Sequence, residues 1–421
     1  MDCLVNSWAE MRIKNDNISS DGNKRSSLLR TLGLALAIAV TLPVVGKSVI
    51  PFSRDRASSV AVVVRDLSTG EDVVSQNPYK AMLPASTMKC LTAAAALEAG
   101  LDTARFETRV YTRGKIDNGV LNGDLVIAGN GDPTIESGQF PGNPSFVNGI
   151  VNAVKKAGIS FIEGEILVDT SAFPDNGPCD RWELSDVRYE YGAGLYALNY
   201  RDNKIGDKAM ESPSEAFGEA LENRLLENGI AVCWQTIDTS DEPMTEILLH
   251  RSPRGAEILD NMMTRSDNLF AEGMLRMLAP GQSRSSAIAR ERRLLSGCGI
   301  DFDITDIHDG SGLSRNNRVT ARFMADLLEK MADRKGSGVS YVSLFPLVGK
   351  EGTVKSLLKG TSLQGQLALK SGSMNGVHCY AGYKLDSDGK PTHAVVILVN
   401  DFFCKRAEVR DAIASFLRQQ F

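Results

Sequence analysis

The sequence predicts a multidomain chain of mixed α/β and α+β class, in which one domain is interrupted by an inserted α+β segment. Three observations carry this. The chain has 421 residues, more than one ordinary hydrophobic core holds. Near residue 106 its character changes: short strand-like pieces begin to alternate with Gly, Asn, Asp and Pro clusters, and helical periodicity returns near Ala256. Strand-like runs also stand at both ends of the chain, outside that segment. The expected division is a tail over 1–57, a first part of the split domain over 58–105, an insertion over 106–248, and the second part over 249–421.

Apolar residues make up 43% of the chain and charged residues 24%, the profile of a soluble globular protein. The net charge of -5 is mild, and no basic patch or tail stands out. Nucleic acid is therefore not an expected partner.

In the tail, Lys24, Arg25 and Arg30 precede an apolar stretch from Leu32 to Val45, interrupted by Gly33, Thr41 and Pro43. A basic flank before a short apolar run reads as a secretory signal. The run is short for a relaxed membrane span, and no clean A-x-A cleavage site follows it. Two outcomes stay open: a cleaved signal, or an uncleaved segment that associates with the membrane. Both imply a periplasmic or otherwise extracytoplasmic protein. Seven cysteines are scattered without a C-x-x-C pair or a nearby His at ligand spacing, so no metal site is expected. Most read as small core residues. Any disulfide pairing stays open.

Residues from Ser59 to Val64 and Val73-Val74 flank the turn Asp66-Leu67-Ser68-Thr69-Gly70, a hairpin pattern. Pro84 then precedes, and Gly100 follows, an Ala-, Leu- and Met-rich run over Thr87 to Ala99. That punctuation predicts a helix with Ser86 at or near its N-terminus. In the insertion, helix-like stretches run from Ser145 to Lys156 and from Pro213 to Asn228, and Gly129-Asn130-Gly131-Asp132-Pro133 is the densest turn signal. Beyond it, Ala256 to Ala279 and Thr320 to Met331 read as helices, Leu367 to Ser371 and Ala394 to Asn400 as strands, and Glu408 to Gln419 as a last helix.

Three short motifs occur in order: Ser86-Thr87-Met88-Lys89, Ser266-Asp267-Asn268 and Lys370-Ser371-Gly372. Each alone is weak, but the ordered set S-x-x-K, S-D-N and K-T-G marks class A β-lactamases and penicillin-binding proteins. The chemistry explains the spacing. Residues i and i+3 share a helix face, so the Lys89 amine can reach the Ser86 hydroxyl. A serine is a weak nucleophile until a base takes its proton. A lysine serves if burial and a neighbouring cation such as Lys370 lower its pKa. Ser266 offers a hydroxyl to pass the proton to the leaving amine, and Asn268 an amide to hold Lys89 and the substrate backbone. Lys370-Ser371-Gly372-Ser373 fits an edge strand beside the nucleophile. There Gly372 is expected to admit a substrate peptide, and the backbone N–H groups of Ser373 and Ser86 to form an oxyanion hole. Lys370 and the Ser371 hydroxyl are expected to bind a terminal carboxylate. No histidine is needed: His250 and His308 lie in polar, loop-like stretches, and His378 and His393 in strand-like ones. Asp267 reads as structural. Asp132 and Glu272 have no evident partner.

With these residues in hand, the chain resembles the D-alanyl-D-alanine carboxypeptidase/endopeptidase family of class C low-molecular-mass penicillin-binding proteins, from about residue 58 to the end. Further segments carry the resemblance: Gly129 to Thr134, Ser266 to Glu272, Asp309-Gly310-Ser311-Gly312-Leu313-Ser314-Arg315, Glu351-Gly352-Thr353, and Gly376-Val377 with Ala381-Gly382-Tyr383. The third motif has Ser371 where Thr is usual, which keeps the hydroxyl. The resemblance implies a penicillin-binding transpeptidase-like domain, an antiparallel sheet flanked by helices, split by the inserted α+β domain. It also implies a serine D,D-peptidase that uses no cofactor. Its partners would be D-Ala-D-Ala-ended peptidoglycan stem peptides and β-lactam antibiotics. A β-lactamase is the rival enzyme, but no segment between the motifs supplies the separate glutamate that fast deacylation uses in class A. An inert or sensing β-lactam binder is the non-enzymatic rival, disfavoured because every reactive group is kept.

Overall fold

The computed structural model describes Ile50 and residues 58–171, 173–239 and 242–421. The basic and apolar stretch of the tail lies outside them. Among the described residues no helix is long and apolar enough to cross a membrane.

The chain opens with β1 (Ser59–Asp66) and β2 (Asp72–Gln76), the expected hairpin. Residues Ala85–Met88 form a 3-10 turn that runs into α1 (Lys89–Glu98), whose residues from Lys89 to Leu97 are all buried. Its four consecutive alanines, Ala93 to Ala96, let neighbouring helices come close on every side.

The second sheet follows. β3 (Glu107–Asp117) and β4 (Val120–Ala128) are joined by Asn118-Gly119. Both residues have positive φ, 48° and 85°, which the tight two-residue hairpin turn requires. Next come α2 (Phe146–Lys156), capped by the Ser145 side chain on Asn148 N–H, then β5 (Phe161–Ile162) and β6 (Ile166–Asp169). The small pair β7 (Lys204–Ile205) and β8 (Lys208–Ala209) precedes α3 (Pro213–Glu227), which has Pro at its start. β9 (Ala231–Val232) and β10 (Met244–Arg251) complete the sheet, in order β10-β3-β4-β5-β9 with β6 also on β4. β10 carries the chain past the expected boundary at 248 and places His250 in a strand, not in a loop. Phe146 and Ile150 of α2, Phe217 and Leu221 of α3, and Leu125 and Ile127 of β4 share one core.

The helical pattern expected over 256–279 is two helices, α4 (Gly255–Arg265) and α5 (Asn268–Met277). Ser266 breaks them apart with a left-handed backbone, φ 64°. α6 (Arg284–Gly297), which the sequence reading did not single out, and α7 (Ala321–Met331) follow. The chain ends with β11 (Leu367–Met374), β12 (Val377–Leu385), β13 (Pro391–Asn400) and α8 (Arg406–Gln420). β12 was anticipated only as the strand-like stretch around His378: Gly382, Tyr383 and polar residues dilute its alternation.

The first sheet has the order β11-β12-β13-β1-β2, all antiparallel. β1 thus pairs with β13 from Ser59 opposite Asn400 to Asp66 opposite His393. Both faces are covered. Ala61 and Val63 turn to a core shared with α1, α4, α5 and α7. Val62 and Val64 turn to the opposite core, against Val409, Ile413 and Leu417 of α8. The run of valines in β1 is what a central strand buried on both faces needs.

Candidate active site

Ser86 sits in the 3-10 turn that leads into α1. In such a turn residues i and i+3 eclipse, so Lys89 lies directly under Ser86, with Nζ 3.1 Å from Oγ. The turn is entered through Ala85 at φ 47°, a conformation that costs an L-residue free energy and survives only where surroundings enforce it. Gly312 supplies part of that enforcement. A Cβ on it would overlap the Ala85 carbonyl oxygen, so only glycine lets the 309–314 loop close on the Ser86 turn.

The left-handed Ser266 ends α4, and Asp267 caps α5 by accepting from Phe270 N–H at 3.0 Å. This sharp corner turns Asn268 toward Lys89, whose Nζ donates to Asn268 Oδ1 at 2.6 Å. Asn268 Nδ2 donates in turn to the Tyr191 carbonyl at 2.7 Å, which fixes the oxygen of the amide toward the lysine. Ser266 Oγ accepts from Lys370 Nζ at 2.8 Å.

The third bond of Lys89 goes to the Ser311 carbonyl, at 2.7 Å. The loop that presents this carbonyl is held by two buried acids. Asp309 accepts from Gly312 N–H, Ser314 N–H, Asn317 Nδ2 and Trp182 Nε1, at 2.8, 2.6, 2.8 and 2.8 Å. Glu272 Oε1 accepts from Gly310 and Ser311 N–H, each at 3.0 Å. Glu272 therefore has partners that sequence reading missed, because they are backbone groups of a distant loop. Asp132 likewise closes its own turn, accepting from the Thr134 N–H at 2.8 Å and hydroxyl at 2.7 Å.

β11 is the edge of its sheet, as expected. Lys370 is fully buried and also donates to the Ser371 carbonyl at 2.7 Å. Ser371 Oγ pairs with Thr353 Oγ1 at 2.7 Å. Gly372 also makes a close approach that the sequence reading did not foresee. A Cβ there would stand 2.7 Å from Pro84 O, 2.9 Å from Thr87 N and 3.0 Å from Ser86 N. The glycine is needed so that β11 can touch the Ser86 turn of the protein itself. Ser86, Ser266, Thr353, Ser371 and Ser373 line one cleft.

Burial governs the electrostatics. It pushes the Lys89 pKa down from its ordinary value to about 8, against the pull of Asp309, Asp267 and Glu272. Burial and the charge of Lys89 hold Lys370 well below its ordinary range. The structure thus brings Ser86, Lys89, Ser266, Asn268, Lys370, Ser371, Gly372 and Ser373 to one place. The Tyr191 and Ser311 carbonyls join them without any signal from side-chain type, since both act through the backbone.

A serine hydroxyl against a buried lysine, with a second lysine–serine pair at a sheet edge, is the arrangement of a serine acyl-transfer enzyme that works without histidine. The chain belongs to the D-Ala-D-Ala carboxypeptidase 3 (S13) family, and so is a serine-type D-Ala-D-Ala carboxypeptidase: the family model matches residues 54–208 and 204–420. It is similar to the D-alanyl-D-alanine carboxypeptidase DacB of Haemophilus influenzae, 25% identical over 90% of this chain and 94% of the relative. A D-alanyl-D-alanine carboxypeptidase of Actinomadura sp. is 27% identical over 80% of this chain and 77% of its own length. The fold matches the crystal structure of penicillin binding protein 4 (dacB) from Haemophilus influenzae with a TM-score of 0.74 and 23% identity, covering 88% of this chain and 97% of that one.

Proposed function

We propose that Ser86 attacks the D-Ala-D-Ala carbonyl of peptidoglycan stem peptides, forms an acyl-enzyme, and is acylated in the same way by β-lactams. The observation that carries this is the set of three oxygens around Lys89 Nζ: Ser86 Oγ, Asn268 Oδ1 and the Ser311 carbonyl. Two of these accept only. A neutral amine has two hydrogens and one lone pair, so the two acceptors take both hydrogens and the lone pair is left facing the Ser86 hydroxyl. That is the geometry of a general base. A pKa near 8 keeps a usable fraction of the amine neutral at physiological pH.

Ser266, held by Lys370, then passes to the leaving amine the proton that Lys89 took from Ser86, giving its own hydroxyl hydrogen to the nitrogen and taking one back in return. The backbone N–H groups of Ser86 and Ser373 receive the developing oxyanion. The Ser371 hydroxyl, backed by the Lys370 charge, receives the terminal carboxylate. D-alanine or a cross-linked peptide leaves, and water releases the acyl group, which gives carboxypeptidase or endopeptidase action. The substrate lies in the cell wall, so the enzyme works outside the cytoplasm, and the basic and apolar tail fits an export signal or anchor. We also assign residues 106–248 to an insertion with its own core, supported by the second sheet built between Glu107 and Arg251.

The test is intact-protein mass spectrometry after incubation with benzylpenicillin, followed by peptide mapping. One penicilloyl group on the peptide that holds Ser86 is expected. An adduct on another serine, or none, overturns the assignment. Muropeptide digestion then separates loss of terminal D-Ala from cleavage of cross-links.

A further inference from the structure

The cleft that holds Ser86 has a volume of about 310 Å³, and its walls also include Ser373, His378, Tyr380, Arg406 and Arg410. Ser373 and His378 face each other across the β11–β12 ladder, and Ser373 Oγ lies 2.8 Å from His378 Nδ1. On the other side of the ring, His378 Nε2 lies 3.0 Å from the Tyr380 hydroxyl. His378 and Tyr380 are buried while Ser373 is exposed to the cleft. Arg406 and Arg410 stand one turn apart on α8 and so share a face.

The direction of this chain of bonds follows from counting hydrogens. Among the described residues, His378 Nε2 is the side-chain partner of the Tyr380 hydroxyl. A phenol has one hydrogen, and a buried one needs an acceptor. If Tyr380 donates to Nε2, the neutral ring carries its own hydrogen on Nδ1 and donates to Ser373 Oγ. The Ser373 hydrogen is then free to point into the cleft. The reverse direction spends the Ser373 hydrogen on Nδ1 and leaves the phenol hydrogen without a side-chain acceptor among the described residues. Burial and the charges of Arg406 and Arg410 push the His378 pKa down to about 4, which keeps the ring neutral.

We propose that His378 and Tyr380 are positioning residues that make the Ser373 hydroxyl a donor toward a carboxylate on the leaving-group side of the scissile bond, with Arg406 and Arg410 as countercharge. This rests on Ser86 being the nucleophile. A carboxylate only accepts hydrogen bonds, so a serine committed to donating is matched to it, and a serine whose hydrogen is spent on His378 is not. The ligand class is an N-acyl amino acid or β-lactam with a free carboxylate.

The experiment is stopped-flow acylation by a fluorescent penicillin and by its methyl ester, in wild type, Tyr380→Phe, Ser373→Ala, the double variant and Arg410→Gln. Hydrogen bonds to charged groups are strong enough that losing one is read as about tenfold. Tyr380→Phe is expected to raise the apparent Kd of the acid about tenfold and leave the ester unchanged. In the Ser373→Ala background the same change is expected to have no further effect. Arg410→Gln, at a partly exposed position of α8, is expected to weaken the acid several-fold and spare the ester. Equal effects on acid and ester, or a Tyr380→Phe effect that persists without the Ser373 hydroxyl, overturn the relay. If wild type is acylated at Ser86 while these contrasts fail, the relay alone is wrong. If wild type carries no adduct on Ser86, the nucleophile assignment falls and the relay falls with it.

Discussion

Lys89 and Asn268 stand 179 residues apart in the chain and meet at 2.6 Å, Nζ to Oδ1. The contact joins the helix that follows Ser86 to the first residue of α5, and the Tyr191 carbonyl locks the amide so that its oxygen faces the lysine. The amide is thus a neutral acceptor at a place where an acid would be nearly isosteric. Asn268→Asp puts a negative charge on the same contact. An opposite charge so close raises a lysine pKa, by ~1–3 units for a near neighbour. The neutral, base-competent amine then appears only at higher pH. The profile of penicillin acylation against pH is expected to move to the alkaline side, with a lower rate constant at pH 7. An unmoved profile removes Lys89 from the role of base.

The same reasoning sets the wild-type profile. The Lys89 pKa is lowered to about 8 by burial, so the fraction of neutral amine grows as pH rises toward that value. The acylation rate constant is expected to climb up to about pH 8 and level off above it. Lys89→Ala removes the base itself. The expected loss is about 10²–10⁴-fold in the acylation rate constant, with little change in the concentration that half-saturates the rate. A change confined to half-saturation means that Lys89 only binds.

The three motifs were legible in the sequence because each carries side-chain chemistry at fixed spacing. So were the first hairpin, the helix after Ser86, the helices beginning near Ser145, Pro213 and Thr320, and the strands that hold Lys370 and Asn400. What the sequence hid has physical causes. Ser266 in a left-handed conformation cuts one helical pattern into two, and serine does not announce that conformation as glycine would. The Ser311 and Tyr191 carbonyls hold Lys89 and Asn268 through backbone atoms that any residue possesses. Glu272 seemed unpartnered because its partners are amide groups of a distant loop. Gly372 was legible as a close approach, but not which backbone approaches.

Gly372→Ala tests that last point. The added methyl group would lie within 3.0 Å of Pro84 O, Thr87 N and Ser86 N, and backbone atoms cannot swing aside as a flexible side chain does. Relief must come from β11 moving away from the Ser86 turn. Overpacking of this kind costs about 1–3 kcal/mol. The variant is expected to fold, with a lower melting temperature, and to lose most of its acylation by penicillin. In the proposed reaction, serine attack and oxyanion binding both depend on that contact. Full acylation with an unchanged melting temperature means that β11 does not touch the turn.

Glu291 of α6 is fully buried, and among the described residues neither of its carboxyl oxygens finds a hydrogen-bond partner. The neighbouring Thr92 hydroxyl spends its hydrogen on the Gly310 carbonyl at 3.0 Å. Burial, with Glu272 and Asp309 adding repulsion, pushes the Glu291 pKa up to about 8. The group is therefore protonated in the folded protein at neutral pH and ionised in the unfolded chain above about 4.5, its ordinary value. Between those two values the native state binds the extra proton, so stability falls as pH rises. The stabilising contribution is fully present below about pH 4.5 and is lost through about pH 8. Glu291→Gln cannot ionise and removes this dependence. Thermal unfolding followed from pH 5 to pH 8 is expected to show the wild-type melting temperature dropping further than that of Glu291→Gln, with the variant gaining most at pH 8. Parallel curves for the two proteins mean that Glu291 is ionised in the folded state, and that its burial is relieved by a partner other than its own proton.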